Sequence, residues 1–168
     1  LVIGQAIATP LDIGGRMAVA REVFALRHGN TCVLYHDDKT VASIAFAVCK
    51  DAGINIQEPP YAVYKEVERL IRKAMSRRVR NKVRPVCEQL IQSRQDVIHW
   101  VGAALRSIDR MALIACGDAG SVIDQVVGPP DSPGRRNMEE DVRARRLLAF
   151  ALSSEYLQIR RKLGMGVA

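Results

Sequence analysis

The stretch from Trp100 to Val127, WVGAALRSIDRMALIACGDAGSVIDQVV, constrains the fold more than any other part of the chain. Its apolar residues predict one helix, interrupted by the charged pair Asp109-Arg110 and closed by Gly117-Asp118. A charge left unpaired in a dry interior costs several kcal/mol, so charges embedded in an apolar helix have to be paired, hydrogen-bonded or used. Asp109, Arg110 and Asp118 are therefore the candidate structural polar core. Asp109 is expected to accept hydrogen bonds from backbone, from Arg106 or Arg110, or from another arginine within the domain. Asp118 is expected to cap a further short helix reaching Val127.

The rest of the chain is punctuated in the same way. Residues 13–28 carry an apolar face at Met17, Ala20, Val23 and Phe24, with Gly29-Asn30 as a stop. Thr31 to Tyr35, TCVLY, is β-branched and apolar and predicts a short strand. His36-Asp37-Asp38 turns the chain, one Asp supplies an N-cap, and Thr40 to Ala52 follows as a helix apolar on most faces. INIQEPP (54–60) is an extended connector. From Tyr61 the helical period resumes at Val63, Val67, Leu70, Ile71, Ala74 and Met75, and Pro85 is expected to break or restart it before a helix over 86–92. Gln95-Asp96 caps the helix containing Trp100. GPPDSPGRR (128–136) is the clearest loop. An amphipathic helix to Leu152, with Val142, Leu147, Leu148 and Phe150 as its apolar positions, and a last helix from Glu155 to Leu163, capped by Ser153-Ser154 and ended by Gly164, complete the chain. No internal repeat of 20 to 50 residues occurs.

The expected fold is mainly α, a compact multi-helix domain with at most a short strand or hairpin. Its 168 residues amount to about one domain. Aromatic residues make up only 5%, so the core has to be aliphatic. Cys32, Cys49, Cys87 and Cys116 include no CxxC pair. The last three sit in apolar helical contexts and read as buried free thiols, which favours a reducing, cytoplasmic compartment. No apolar run reaches the length of a membrane span. The chain opens on LVIGQAIA without a methionine and reads as a fragment of something longer.

The net charge is +7 and the isoelectric point about 9.6, a balance that suits an acidic partner. The positive charge concentrates in Arg69, Arg72, Lys73, Arg77, Arg78, Arg80, Lys82 and Arg84, a run without one acid. Phosphate binding needs clustered cations, so this basic helix, 69–84, is the argument for nucleic acid. Against it, no aromatics interleave to stack on bases, and no helix-turn-helix or zinc-finger spacing surrounds it. Leu70, Ile71, Met75, Val79 and Val83 continue through it, so it reads better as the wet side of a packed helix or as a protein contact.

Other chemistry is sparse. His28, Cys32 and His36 share a spacing of four, but Gly29-Asn30 and TCVLY argue against one helix carrying them, and turn formation accounts more simply for His36-Asp37-Asp38. His99 has no visible acid partner and reads as a helix-surface or boundary residue. No G-x-S-x-G, GxxxxGK[ST] or GxGxxG occurs. No catalytic residue, metal or cofactor is therefore assigned.

Two resemblances add to this. GRMAVAREVFALRHG (15–29), DDKTVASIAFAVCKDAGI (37–54), PPYAVYKEVERLIRKAMSRRVRNKV (59–83), SIDRMALIACGD (107–118) and LLAFALSSEYLQIRRKLGMG (147–166) together resemble the C-terminal region of very large tetratricopeptide-repeat proteins of myxobacteria and their relatives. That resemblance covers nearly the whole chain. It implies a terminal domain on a helical-repeat scaffold, and such scaffolds assemble proteins. SIDRMALIACGDAGSVI is locally similar to the segment downstream of the active site in membrane-type zinc metallopeptidases, where a supporting Asp follows a zinc-binding Glu by four residues. Asp109 matches that Asp, but Leu105 stands at the Glu position and no HExxH occurs, which implies a degenerate, non-catalytic relative.

The sequence thus points to a non-enzymatic protein–protein interaction or scaffold domain at the end of a tetratricopeptide-repeat protein. The basic helix and the 128–136 loop are its expected contact surfaces, and the expected partner is a protein. The alternatives are a degenerate zinc-metallopeptidase-like domain without catalytic residues and a nucleic-acid-binding module using 69–84.

Overall fold

A computed structural model describes residues 10–93, 96–127 and 138–165. Nine helices occur among them, and no strand: α1 (Ile13–Arg27), α2 (Thr31–Tyr35), α3 (Asp38–Asp51), α4 (Tyr64–Ala74), α5 (Arg77–Gln92), α6 (Val97–Cys116), α7 (Ala119–Val127), α8 (Met138–Ala151) and α9 (Ser154–Lys162). The fold is mainly α. The chain divides into two compact units, residues 31–104 and residues 1–30 with 105–168. No helix among the described residues is long and apolar enough to cross a membrane.

Short polar side chains start the helices by accepting the free N–H groups of the first turn. Asp12 accepts from Gly15, Asp37 from Thr40, Ser76 from Val79, and Ser153 from Tyr156. Asp96 takes the N–H of Ile98 at the start of α6. Gln95 and the loop 128–136 lie outside the described residues.

In the unit formed by 31–104, Ala47, Tyr64 and Val67 pack with Ile44, Phe46 and Ile71, joining α3 to α4. Cys49, Ala52 and Cys87 pack with Val83, Leu90 and Ile91, joining α3 to α5. In the other unit Met17, Leu113, Ile114, Val122, Leu147, Phe150 and Tyr156 form the core, with Phe150 and Tyr156 edge to face at 5.6 Å.

Three expectations are corrected. Thr31 to Tyr35 is a single helical turn, not a strand: no neighbouring strand is present among the described residues, and a lone one would leave its backbone groups unpaired. One helical turn closes them locally, with the N–H of His36 donating to the carbonyl of Cys32 at 3.1 Å, while Val33 is buried. Gly29, at φ 70°, reverses the chain just before it and lets Asn30 donate to the carbonyl of Ala25 at 2.7 Å. Second, Pro85 neither breaks nor restarts a helix but sits inside α5. Pro85 lacks the N–H that would donate to the carbonyl of Asn81, and both residues lie on the exposed side of the helix, where losing one backbone bond costs least. Third, Val23 and Leu148, expected on apolar faces, are exposed.

Candidate functional site

The basic segment is not one helix. Met75 adopts an extended conformation at ψ 114° and Ser76 caps a new helix, so Arg69, Arg72 and Lys73 lie on α4 and Arg77, Arg78, Arg80, Lys82 and Arg84 on α5. The apolar period hid this break; the one signal for it was Ser76 standing where an N-cap stands.

Both helices are amphipathic, and the 3.6-residue period decides which cations face water. On α5 the sequence positions Arg80, Val83, Cys87 and Leu90 fall on the covered side, whereas Arg78, Val79, Lys82 and Val86 share the exposed side. On α4, Tyr64, Val67 and Ile71 face the core, while Arg69, Leu70, Arg72 and Lys73 are exposed.

Three of the eight cations are neutralised. Arg72 donates to Glu68 at 3.0 Å, Arg84 to Glu88 at 3.0 Å, and Arg80 to Asp51 at 2.6 Å. Arg80 also donates to the carbonyl of Arg72 at 3.2 Å, which ties the end of α4 to α5 across the break. Arg69, Lys73, Arg77, Arg78 and Lys82 form no ion pair among the described residues. Between them stand Leu70, Val79 and Val86, exposed by 53%, 43% and 64%. Leu70 and Val79 were expected on a packed side; they are part of the surface instead.

Beside α4, Lys50 and Lys65 both bind Glu58, and Lys50 also binds Glu68 at 2.9 Å. The hydrogen bonds from Lys50 and then Lys65 hold the Glu58 carboxyl down at about 2. The hydrogen bonds that Lys50 donates to Glu58 and then to Glu68 raise its own value.

The other unit holds the predicted polar core. Asp109 is 2% exposed, between Ile108 and the fully buried Ala112 and Leu113 of α6. Arg21 of α1 donates to its Oδ1 at 2.7 Å. Arg143 of α8 grips it with a two-pronged fork, Nε to Oδ2 at 2.6 Å and Nη2 to Oδ1 at 2.8 Å. Bidentate pairing of this kind is the strong form of an ion pair. The partners are therefore distant arginines, 88 and 34 residues away in sequence, rather than Arg106 or Arg110.

Arg110 does not belong to the buried network: it is exposed, with its guanidinium over the Phe150 ring at 4.7 Å. Asp118 caps α7, accepting from the N–H of Gly120 at 2.9 Å and the hydroxyl of Ser121 at 2.7 Å. His99 is exposed, and His28, Cys32 and His36 form no metal-ligand group; no group of three potential metal-binding side chains occurs among the described residues.

No protein-family model matches this chain, and no curated protein and no solved structure matches it.

Proposed function

We propose that this chain is a protein-interaction or scaffold module, standing at the end of a tetratricopeptide-repeat protein, that engages an acidic protein surface through the outer face of α4 and α5. The observation that supports this reading is the alternation of unpaired cations with exposed aliphatic side chains: Arg69, Leu70 and Lys73 on α4, and Arg78, Val79, Lys82 and Val86 on α5. Cations steer an acidic partner and set its register; the aliphatic side chains supply area that gains from being covered. A face built for single-stranded nucleic acid would place aromatic rings between its cations, and the exposed apolar residues here are Leu and Val.

A photo-crosslinking residue at Val79 in the full protein, expressed in its host, tests this, with adducts identified by mass spectrometry in the parent and in an Arg78→Glu/Lys82→Glu variant. Adducts to acidic protein segments that disappear on charge reversal are expected. Adducts exclusively to nucleic acid, or protein adducts indifferent to the charge reversal, overturn the reading.

A further inference from the structure

A groove in the unit formed by 31–104 shares no residue with the face just described. It holds about 510 Å³ and is lined by residues 55–61, in the connector between α3 and α4, together with Phe46 of α3 and Ile91 of α5. Volumes of this order are those of ligand clefts. The connector is fastened at both ends. Ile54 donates to the carbonyl of Cys49 at 3.0 Å, and Ile54 and Ile56 pack on the buried cluster of Cys49, Ala52 and Cys87. Further along, Glu58 is clasped by Lys50 of α3 and Lys65 of α4. Pro59 and Pro60 fix their own φ and hold the residue before each in extended backbone. A groove fixed in this way costs little ordering when a ligand enters it.

The unmet chemistry of this groove is that of a main chain. Ile54 and Ile56 are half-buried while Asn55 and Gln57 are exposed, the alternation of an extended strand. Asn55, Ile56, Gln57 and Glu58 form no main-chain hydrogen bond among the described residues, so their N–H and C=O groups stand open as at a sheet edge. Glu58 is the one charged side chain in the lining, and both of its oxygens already accept from lysines. An ionic ligand therefore finds no free countercharge there, and Phe46, Ile56, Tyr61 and Ile91 offer it largely apolar walls. Open main-chain groups beside an apolar cleft suit an extended peptide: the edge pairs its backbone, and the cleft takes one of its alternate side chains. We infer that this groove receives an extended segment of a partner protein, its main chain paired with residues 55–58 and an aliphatic or aromatic side chain seated among Phe46, Ile56, Tyr61 and Ile91.

The test is selection of linear peptides displayed on phage against the full chain, with counter-selection on Ile91→Asp, whose fold is checked by circular dichroism. Enriched peptides are expected to bind the parent at least about tenfold more tightly than this variant, since a carboxylate at that position spoils the apolar wall. The best peptide is then synthesised with an N-methyl group at each amide in turn. Pairing along one edge uses every second amide, so methylation should weaken binding at least about tenfold at alternate positions and little between them. A benzophenone on the same peptide locates it without recourse to any variant, and its adducts are expected on residues 55–61, Phe46 or Ile91. The Arg78→Glu/Lys82→Glu protein is expected to bind the peptide as the parent does, so this groove and the α4–α5 face stand or fall separately. Failure to enrich any peptide overturns the inference. So do adducts elsewhere, equal binding by a folded Ile91→Asp protein, and loss of binding in the Arg78→Glu/Lys82→Glu protein. Binding indifferent to N-methylation at every amide also overturns it, because the groove then reads side chains and not an extended main chain.

Discussion

Arg160 lies against Gly117: a Cβ on that glycine would stand 2.8 Å from Nη1 of the arginine, and the same nitrogen donates to the carbonyl of Ile114 at 2.7 Å. The last turn of α6 thus has one of its open carbonyls closed by a side chain from α9. Gly117 is at φ 76°, where a side chain is strained in any case. Gly117→Ala therefore combines backbone strain of about 1 kcal/mol with loss of the Arg160 hydrogen bond, for a total of about 2–3 kcal/mol. Gly29 is the control: its φ is 70° and nothing lies within 4 Å of its would-be Cβ, so Gly29→Ala should show only the strain. Urea melts of the two variants decide it, and equal losses would show that Arg160 gives way freely.

The helices, their caps and the buried aspartate were legible because each rests on a local rule. An Asp or Ser before an apolar period marks a helix start, and a carboxylate in the middle of an apolar helix demands a partner. The identity of that partner was not legible, because Arg21 and Arg143 meet Asp109 only through the packing of three helices distant in sequence. TCVLY misled for the same reason: β-branched composition suits a strand only where another strand is present to pair with it. The exposure of Val79 and Leu70 could not be read either, since helical spacing gives a face but not whether that face is covered.

Asp109→Ala removes the acceptor that Arg21 and Arg143 share and takes an ion-pair partner from two partly buried guanidiniums. The loss expected in a denaturant melt is about 2–4 kcal/mol. Arg143→Ala should cost more than Arg21→Ala, since Arg143 supplies two hydrogen bonds and Arg21 one. A loss below about 0.5 kcal/mol for Asp109→Ala is surface-like and contradicts the burial of this group.

Asp118 ties stability to pH at the start of α7. The Ser121 hydroxyl, then the N–H groups of Ser121 and Gly120, hold its carboxyl below the ordinary value of 3.8. A carboxyl depressed in the folded state stabilises above its unfolded value, and that contribution is lost as pH falls through the lower folded value. Asn caps about as well as Asp, so Asp118→Asn should match the parent's helix content at neutral pH while losing this increment of acid sensitivity. Asp118→Ala should cost about 1 kcal/mol at pH 7. The measurement is the stability difference between the parent and Asp118→Asn from about pH 5 down to about pH 2. A difference that stays constant over that range removes the carboxyl from the account.

Cys49 and Cys87 meet where α3 packs on α5, and burial first, then hydrogen bonding with Cys87, pushes the Cys49 thiol up to about 12. Thiolate is the reactive form, so at pH 8 a thiol at that value carries on the order of 10³-fold less of it than an ordinary one. Cys32 is only half-buried. Alkylation of the native protein followed by mass spectrometry should label Cys32 first and reach Cys49 and Cys87 only on unfolding. The same shift makes a signed prediction for stability. The folded state holds the Cys49 proton more tightly than the unfolded chain, so this contribution is complete below the ordinary thiol value of 9.0 and declines as pH rises above it. A Cys49→Ala protein should lose less stability than the parent between about pH 8 and pH 11. Labelling of Cys49 as fast as Cys32 in the native protein would mean that the α3–α5 contact opens on the timescale of the reagent, and that this core does not hold α5 in place.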